Sequence, residues 1–343
     1  MDFIRTFAII LVVLVHTTAF PYHIPDEITS AVTFNWFTVD IFAAVANMAV
    51  PLFVMLSGAL LLDTAKADEP MKVFYKKRFA RIGIPMIFWT VIYFGWYRFV
   101  TGQPLTVNTV LSGLLSGSYY HLWFVYLLIG LYLATPFLRI LIKHLSRQQF
   151  KFMLIVWFVG NVTVPLINQF FPFGFNPVMF ILTGWVGYYL LGTYLLQAKV
   201  PSWKAWAGVV VGLVSTVVGA WWVTGTYGQS RALFFDEPLN TTLILASTSV
   251  FLLLIAIPKS RFGGCQSKLC GVLHWIGQNT LPIYFFHIII METIQSGFLG
   301  FSLNQTLMSP IFEIPLLTVI TLAVTAALVY PLKKIPLIRT LIG

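Results

Sequence analysis

Ten stretches of this chain, each of about twenty mostly apolar residues, are long enough to cross about 30 Å of hydrocarbon. They run approximately over 3–21, 36–62, 83–101, 120–142, 150–170, 176–197, 204–224, 239–258, 275–298 and 310–332. Charge is too scarce for any other reading. Asp, Glu, Lys and Arg make up 9% of the residues, whereas a soluble domain carries about 25%. Hydrophobic residues reach 58% and the mean hydropathy is +0.86, so a soluble fold could not cover its surface with polar groups. In lipid each backbone polar group must be paired within the protein, which makes helices the natural form of such runs. The expected fold is an all-α, polytopic integral membrane protein of about ten transmembrane helices. No segment between the runs is long enough for a soluble domain, and no repeat or low-complexity linker interrupts them. Residues 1–343 therefore read as a single membrane-embedded domain.

The connections give the expected orientation. Lys66, Lys72, Lys76, Lys77, Arg78 and Arg81 fall in the 63–82 loop, and Arg139, Lys143, Arg147 and Lys151 in the 139–151 loop. With Arg5, Lys199, Lys204, Lys259, Arg261, Lys268, Lys333, Lys334 and Arg339, nineteen of the 21 basic residues lie on one side, leaving only Arg98 and Arg231 on the other. Basic loops favour the cytoplasmic face, so both termini are expected inside (N-in/C-in). The net charge of +10 is then a topology signal rather than a nucleic-acid footprint, and no nucleic-acid partner is expected. Residues 3–21 loosely resemble a signal peptide, but the run is long for one and reads better as a retained first span.

Several chemistries lack their parts. There is no glycine-rich phosphate loop and no HExxH zinc motif. Cys265 and Cys270 fall in an expected cytoplasmic loop, a compartment that disfavours disulfides, and two thiols do not complete a zinc site. Free thiols, no metal and no permanently bound cofactor are the expectation.

Ionisable groups inside spans are costly and mark function. Arg5 and His16 are eleven residues apart on one helix, which is three turns plus about 20°, so they share a stripe over about 16 Å of rise. The plainer reading is an interfacial arginine and a histidine satisfied by a neighbouring helix. Arg78 and Arg81 are spaced i, i+3, so one helix face can offer two guanidinium forks to an anion; ordinary topology charge is the competing reading. Ser57-Gly58 ends span 2 at a similar depth and reads equally well as close helix packing. Toward the outer half lie Asp40, His121, and the stripe Thr280, Tyr284, His287 with Glu292 one turn on. Pro282 would kink that helix. His121 has an interfacial alternative beside Trp123.

In order along the chain, these segments resemble the membrane-bound acyltransferase family 3. "RTFAIILVVLVH" matches its Arg-x10-His on the first span, with Asp2 upstream; Thr6 stands where the family often has glycine. "VPLFVMLSG", "RFARIGIP", "YYHLWFV" and "LPIYFFH" resemble its later motifs. The flavour is that of stand-alone enzymes that O-acetylate surface glycans of the enterobacterial-common-antigen type. The resemblance implies an O-acyltransferase, with acetyl the expected acyl group. It uses cytoplasmic acetyl-CoA (acyl-CoA) as co-substrate and acts on a hydroxyl of a cell-surface or lipid-linked glycan. It also implies a multi-pass protein of the cell inner membrane, with membrane lipids as partners; a homo-oligomer is compatible with the sequence. Arg5, Ser57, Arg78 and Arg81 would hold the polyanionic donor, and Arg5 and His16 would form the catalytic pair. His16 would be a general base or carry the acyl group transiently. Asp40, His121, Tyr284, His287 and Glu292 would contact the acceptor or the transition state. The competing class is a transporter or flippase of a lipid-linked saccharide, but neither an inverted repeat nor paired broken helices are evident.

Overall fold

A computed structural model of the chain describes residues 1–18, 30–170, 184–227, 235, 237–257, 268–300, 302–303 and 308–343. Every regular element among them is helical. The helices are α1 (Asp2–Thr18), α2 (Ser30–Ala46), α3 (Ala49–Leu61), α4 (Met71–Arg78), α5 (Ile84–Thr101), α6 (Val107–Ser116), α7 (Trp123–His144), α8 (Arg147–Phe170), α9 (Trp185–Leu195), α10 (Ser202–Tyr227), α11 (Thr241–Ile255), α12 (Lys268–Gln278), α13 (Thr280–Gln295), α14 (Pro310–Leu332) and α15 (Pro336–Ile342). Among the described residues, five helical stretches are long and apolar enough to cross a membrane: Phe34–Leu61, Met71–Thr101, Val107–His144, Ser202–Thr226 and Pro310–Leu332. Thr241–Ile255 and Thr280–Gln295 are shorter apolar helices. The expected spans near 3–21, 150–170 and 176–197 correspond to α1, α8 and α9.

Prolines explain where long apolar runs are divided. The run 36–62 is broken at Asn47-Met48 because Pro51 has no N–H to return to the Asn47 carbonyl and its ring crowds that oxygen. The run 275–298 is two helices separated at Asn279, which differs from the expected single kinked helix. Pro282 sits in the first turn of α13, where the missing N–H costs little. Between α4 and α5, Phe79–Gly83 forms a π turn in which the Ile84 N–H reaches the Phe79 carbonyl. Pro85 again lacks the N–H that would bond Arg81. The basic segment and the apolar one are thus a single helix from Met71 to Thr101, not a loop followed by a span.

α1 is the central element, packed by α2, α3, α12, α13 and α14. Ile4, Ala8, Ile9, Leu11, Val12 and Val13 are buried on it. Thr6 Oγ1 donates to the Leu273 carbonyl on α12 at 2.6 Å, and Thr17 pairs with Thr318 of α14 at 2.9 Å. α3 and α9 approach each other closely. A Cβ on Gly58 would lie 1.8 Å from the Tyr189 carbonyl oxygen, and one on Gly192 would lie 1.9 Å from the Met55 carbonyl oxygen. Small residues at these two positions let the backbones touch.

Arg139, read from the sequence as a loop charge, is buried inside α7, at 3% exposure. Its Nε donates to the Leu61 carbonyl at 2.6 Å, and its Nη1 to the Lys66 carbonyl at 3.2 Å and Glu69 Oε2 at 3.0 Å. It therefore ties the 62–70 connection to the bundle. Arg139→Ala should lower stability by about 2 kcal/mol, the scale of hydrogen bonds to charged groups, and Arg139→Lys should not restore it, because an ammonium lacks the fork. Lys77 and then Arg139 hold the Glu69 carboxyl below its usual range. That contribution is present above the unfolded carboxylate value of about 4.3 and fades as pH falls through the folded value. Thermal unfolding of the two variants between pH 3 and 7 checks both points; a difference from wild type that persists undiminished at the lowest pH would remove Glu69 from the account.

Candidate active site

Four residues from three parts of the chain meet at one cavity of about 350 Å³: Arg5 from α1, Ser57 from α3, Arg78 from the end of α4 and Arg81 from the π turn. These are the four residues that the family resemblance implies for the donor. Arg5 is aimed by Asp2, whose Oδ1 accepts from its Nη1 at 2.7 Å, while Asp2 Oδ2 lies 3.3 Å from His274 Nδ1. The Arg78 guanidinium lies 5.6 Å from the Phe74 ring and 5.9 Å from the Tyr132 ring. The π turn puts Arg81 beside Arg78, where it remains exposed at the cavity edge. Gly58 fulfils the packing alternative, while its neighbour Ser57 faces the cavity.

Two contributors to this cavity escaped the sequence. Lys66 lines it, although its spacing marked only a loop charge; Arg139 folds that loop inward. Tyr132 also lines it, and nothing distinguishes one tyrosine in a chain that is 16% aromatic.

Thr280 and Tyr284, one turn apart on α13, form part of the cavity wall. The third member of that stripe, His287, turns to a cluster of rings. Centroids of His16 and His287 are 5.2 Å apart, His121 and His287 5.6 Å, and His16 and His121 6.3 Å. Tyr284 lies 5.4 Å from His121 and 5.7 Å from His287. The two groups therefore share Tyr284.

The hydrogen bonds fix what these rings can do. The Tyr284 hydroxyl donates to the His121 carbonyl. His287 Nδ1 lies 2.5 Å from the Tyr284 carbonyl, which can only accept, so the proton is on Nδ1 and a neutral ring presents a bare lone pair at Nε2. That Nε2 is buried without a protein partner, as are both ring nitrogens of His121. His121 is 1% and His287 0% exposed, whereas His16 is only partly buried. Among the described residues no group of three His, Cys, Asp or Glu is arranged to hold a metal ion.

Glu292 is near the same rings through tyrosines. Its Oε2 accepts from Trp96 Nε1 at 2.6 Å and from the Tyr119 hydroxyl at 2.7 Å. Asp40 is buried on α2 and does not line the arginine cavity. Cys270 is disulfide-bonded, contrary to the expectation of a free thiol; Cys265, Arg231 and Asp236 lie outside the described residues. The compartment argument assumed a cytoplasmic loop, and sequence spacing by itself carries no information on the pairing.

A convergent set of cations opening onto a wall shared with imidazoles is a fitting arrangement for transfer of a group carried on a polyanion. No curated protein and no solved structure matches the chain. The family model described as an acyltransferase domain matches residues 1–330. Taken with the apolar helices, that match over nearly the whole chain identifies a multi-pass membrane acyltransferase: the chain belongs to acyltransferase family 3.

Proposed function

We propose that this acyltransferase moves an acyl group, with acetyl the default, from cytoplasmic acyl-CoA to a hydroxyl of a cell-surface or lipid-linked glycan on the other side of the cell inner membrane. The proposal includes ten crossings with both termini inside. The observation that carries it is the sharing of Tyr284 between the cavity lined by Arg5, Arg78 and Arg81 and the cluster of His16, His121 and His287. A long, thin pantetheine arm suits the route from one to the other, with the phosphates of CoA left at the arginines.

In this reading His16 takes the proton of the acceptor hydroxyl as its oxygen attacks the thioester carbonyl. The carbon–sulfur bond then breaks, the acyl ester forms, and the proton leaves with the sulfur as CoA thiol. The bare Nε2 of His287 suits accepting a hydrogen bond from the ring N–H of a neutral His16, whose centroid is 5.2 Å away, and so orienting that base toward the acceptor hydroxyl. A neutral His121 has one N–H to offer the developing oxyanion. Tyr284, its proton held by the His121 carbonyl, forms the wall between donor and acceptor. Arg5 belongs to the donor end of the catalytic stripe.

Oriented vesicles test the crossing. With labelled acetyl-CoA on one face and an impermeant glycan acceptor on the other, labelled product should form only when CoA is on the Arg78 face. Equal activity with both substrates confined to that face would end the crossing geometry, and glycan movement without label would favour the flippase reading.

The donor assignment predicts that Arg78→Ala and Arg81→Ala each weaken acyl-CoA binding about tenfold, the equivalent of one charge-assisted hydrogen bond. Lys72→Ala, an exposed lysine outside the cavity lining, should leave binding unchanged. Lys66 is unsuitable as that control because it lines the cavity. Binding should also weaken with salt. Titration of CoA against the three variants decides: indistinguishable affinities would return the arginines to topology charges.

A further inference from the structure

The approach to His16 is bordered by one exposed ring. His121 and His287 are buried, whereas His16 is partly exposed. Tyr120 is 50% exposed, and its ring centroid is 5.5 Å from that of His16. The ring is well supported. Residues 120–122 form a tight helical turn, entered through Gly117 at φ 109°, a conformation suited to glycine. The Tyr119 ring lies 5.1 Å from Tyr120 and stacks on Tyr93 at 4.9 Å. The Tyr119 hydroxyl and the Trp96 indole both donate to Glu292, holding its carboxylate beside this platform, with Tyr120 in reach of the same group.

From this arrangement we infer that Tyr120 and Glu292 form a subsite for an uncharged pyranose ring of the acceptor. The inference rests on the acyl-transfer reading above and adds the chemical class of the ring that is bound. An aromatic face matches the apolar C–H face of a sugar, giving contact area at low entropic cost. A carboxylate is acceptor-only with about four lone-pair directions, and the bonds from Trp96 and Tyr119, with Tyr120 in reach, leave capacity for a ligand hydroxyl. A second hydroxyl of the ring would donate to Glu292 while the reacting one lies at His16. A uronic acid or a phosphate at this position would be repelled by the carboxylate, so the ring recognised is neutral. Trp96 and Tyr119 are positioning residues for Glu292.

The test uses the purified full chain, labelled acetyl-CoA, and as acceptor probe the surface glycan of the producing cells stripped of its esters by mild alkali. Tyr120→Ala should raise the KM for glycan about tenfold, the scale of a lost aromatic stacking contact. The kcat at saturating glycan and the Kd for CoA should stay within about twofold. Tyr120→Trp, which keeps an aromatic face, should restore the KM. An unchanged glycan KM in Tyr120→Ala beside an active wild type would overturn the subsite. So would a loss of CoA binding that Trp fails to rescue, which would make Tyr120 a structural residue. A wild type that labels no glycan would instead overturn the acyl-transfer reading, and the subsite with it.

Discussion

Replacing His16 by alanine should abolish acyl transfer while the protein still inserts and accumulates. His16 is the one histidine of the cluster that is only partly buried, and it shares a helix with Arg5 at the arginine-lined cavity. Loss of a general base is typically worth about 10²- to 10⁴-fold in rate, which would leave labelled product near background. His121→Ala and His287→Ala should retain more activity than His16→Ala, since in the mechanism above they position and stabilise rather than accept the proton. The measurement is transfer of label from acetyl-CoA to glycan by equal amounts of each membrane-inserted variant. Near-normal transfer by His16→Ala would sink its proposed role. If His16 carries the acyl group instead, acceptor-free wild type incubated with acetyl-CoA should show one acetyl on the peptide containing His16.

The second large effect is on folding. Gly58→Ala should prevent α3 and α9 from docking, because the added Cβ would stand 1.8 Å from the Tyr189 carbonyl oxygen. Overpacking ordinarily costs about 1–3 kcal/mol. Here the obstacle is backbone, with no rotamer to yield, so the cost should reach or exceed the top of that range. The reciprocal contact means that Gly192→Ala should do the same, through the Met55 carbonyl. By contrast, Gly130→Ala meets nothing within 4 Å and should be silent. Thermal denaturation of the solubilised proteins separates the three. A Gly58→Ala protein as stable as the Gly130→Ala protein would show that the two helices can move apart at little cost.

What could be read in advance depended on regular spacing. Arg5 was legible because it shares a helical stripe with His16, Arg78 and Arg81 because i, i+3 spacing fixes a common direction, and Ser57 only through its depth and the family resemblance. The stripe Thr280, Tyr284, His287 was legible because helical periodicity holds over two turns, and in the structure its members do divide between the cavity and the rings. The misses have physical causes. Proline advertises a local change without specifying it: Pro51 breaks a helix, Pro282 starts one and Pro85 accompanies a π turn. Lys66 and Arg139 looked like topology charges because a basic residue near a span end usually is one; only tertiary contact shows Arg139 gripping the 62–70 connection. Tyr120 and Trp96 carry no sequence signal, since aromatic residues are common on every face of an apolar helix. Their placement follows from the turn after Gly117 and from bonds between residues nearly 200 positions apart.

The unbroken helix from Met71 to Thr101 is 31 residues long. At 1.5 Å per residue it measures about 46 Å, well beyond the roughly 30 Å of hydrocarbon that a bilayer offers. Its surplus is the end that carries Lys72, Lys76, Lys77 and Arg78. That end must stand among lipid headgroups, whose phosphates are anions of the same kind as those of CoA. Under the donor assignment proposed above, lipid and acyl-CoA then compete for the Arg78 guanidinium. The acyl-CoA affinity that the proposed function calls for is accordingly a joint property of the chain and of the bilayer around it, and a value obtained in neutral detergent belongs to a different system from one obtained in an acidic membrane.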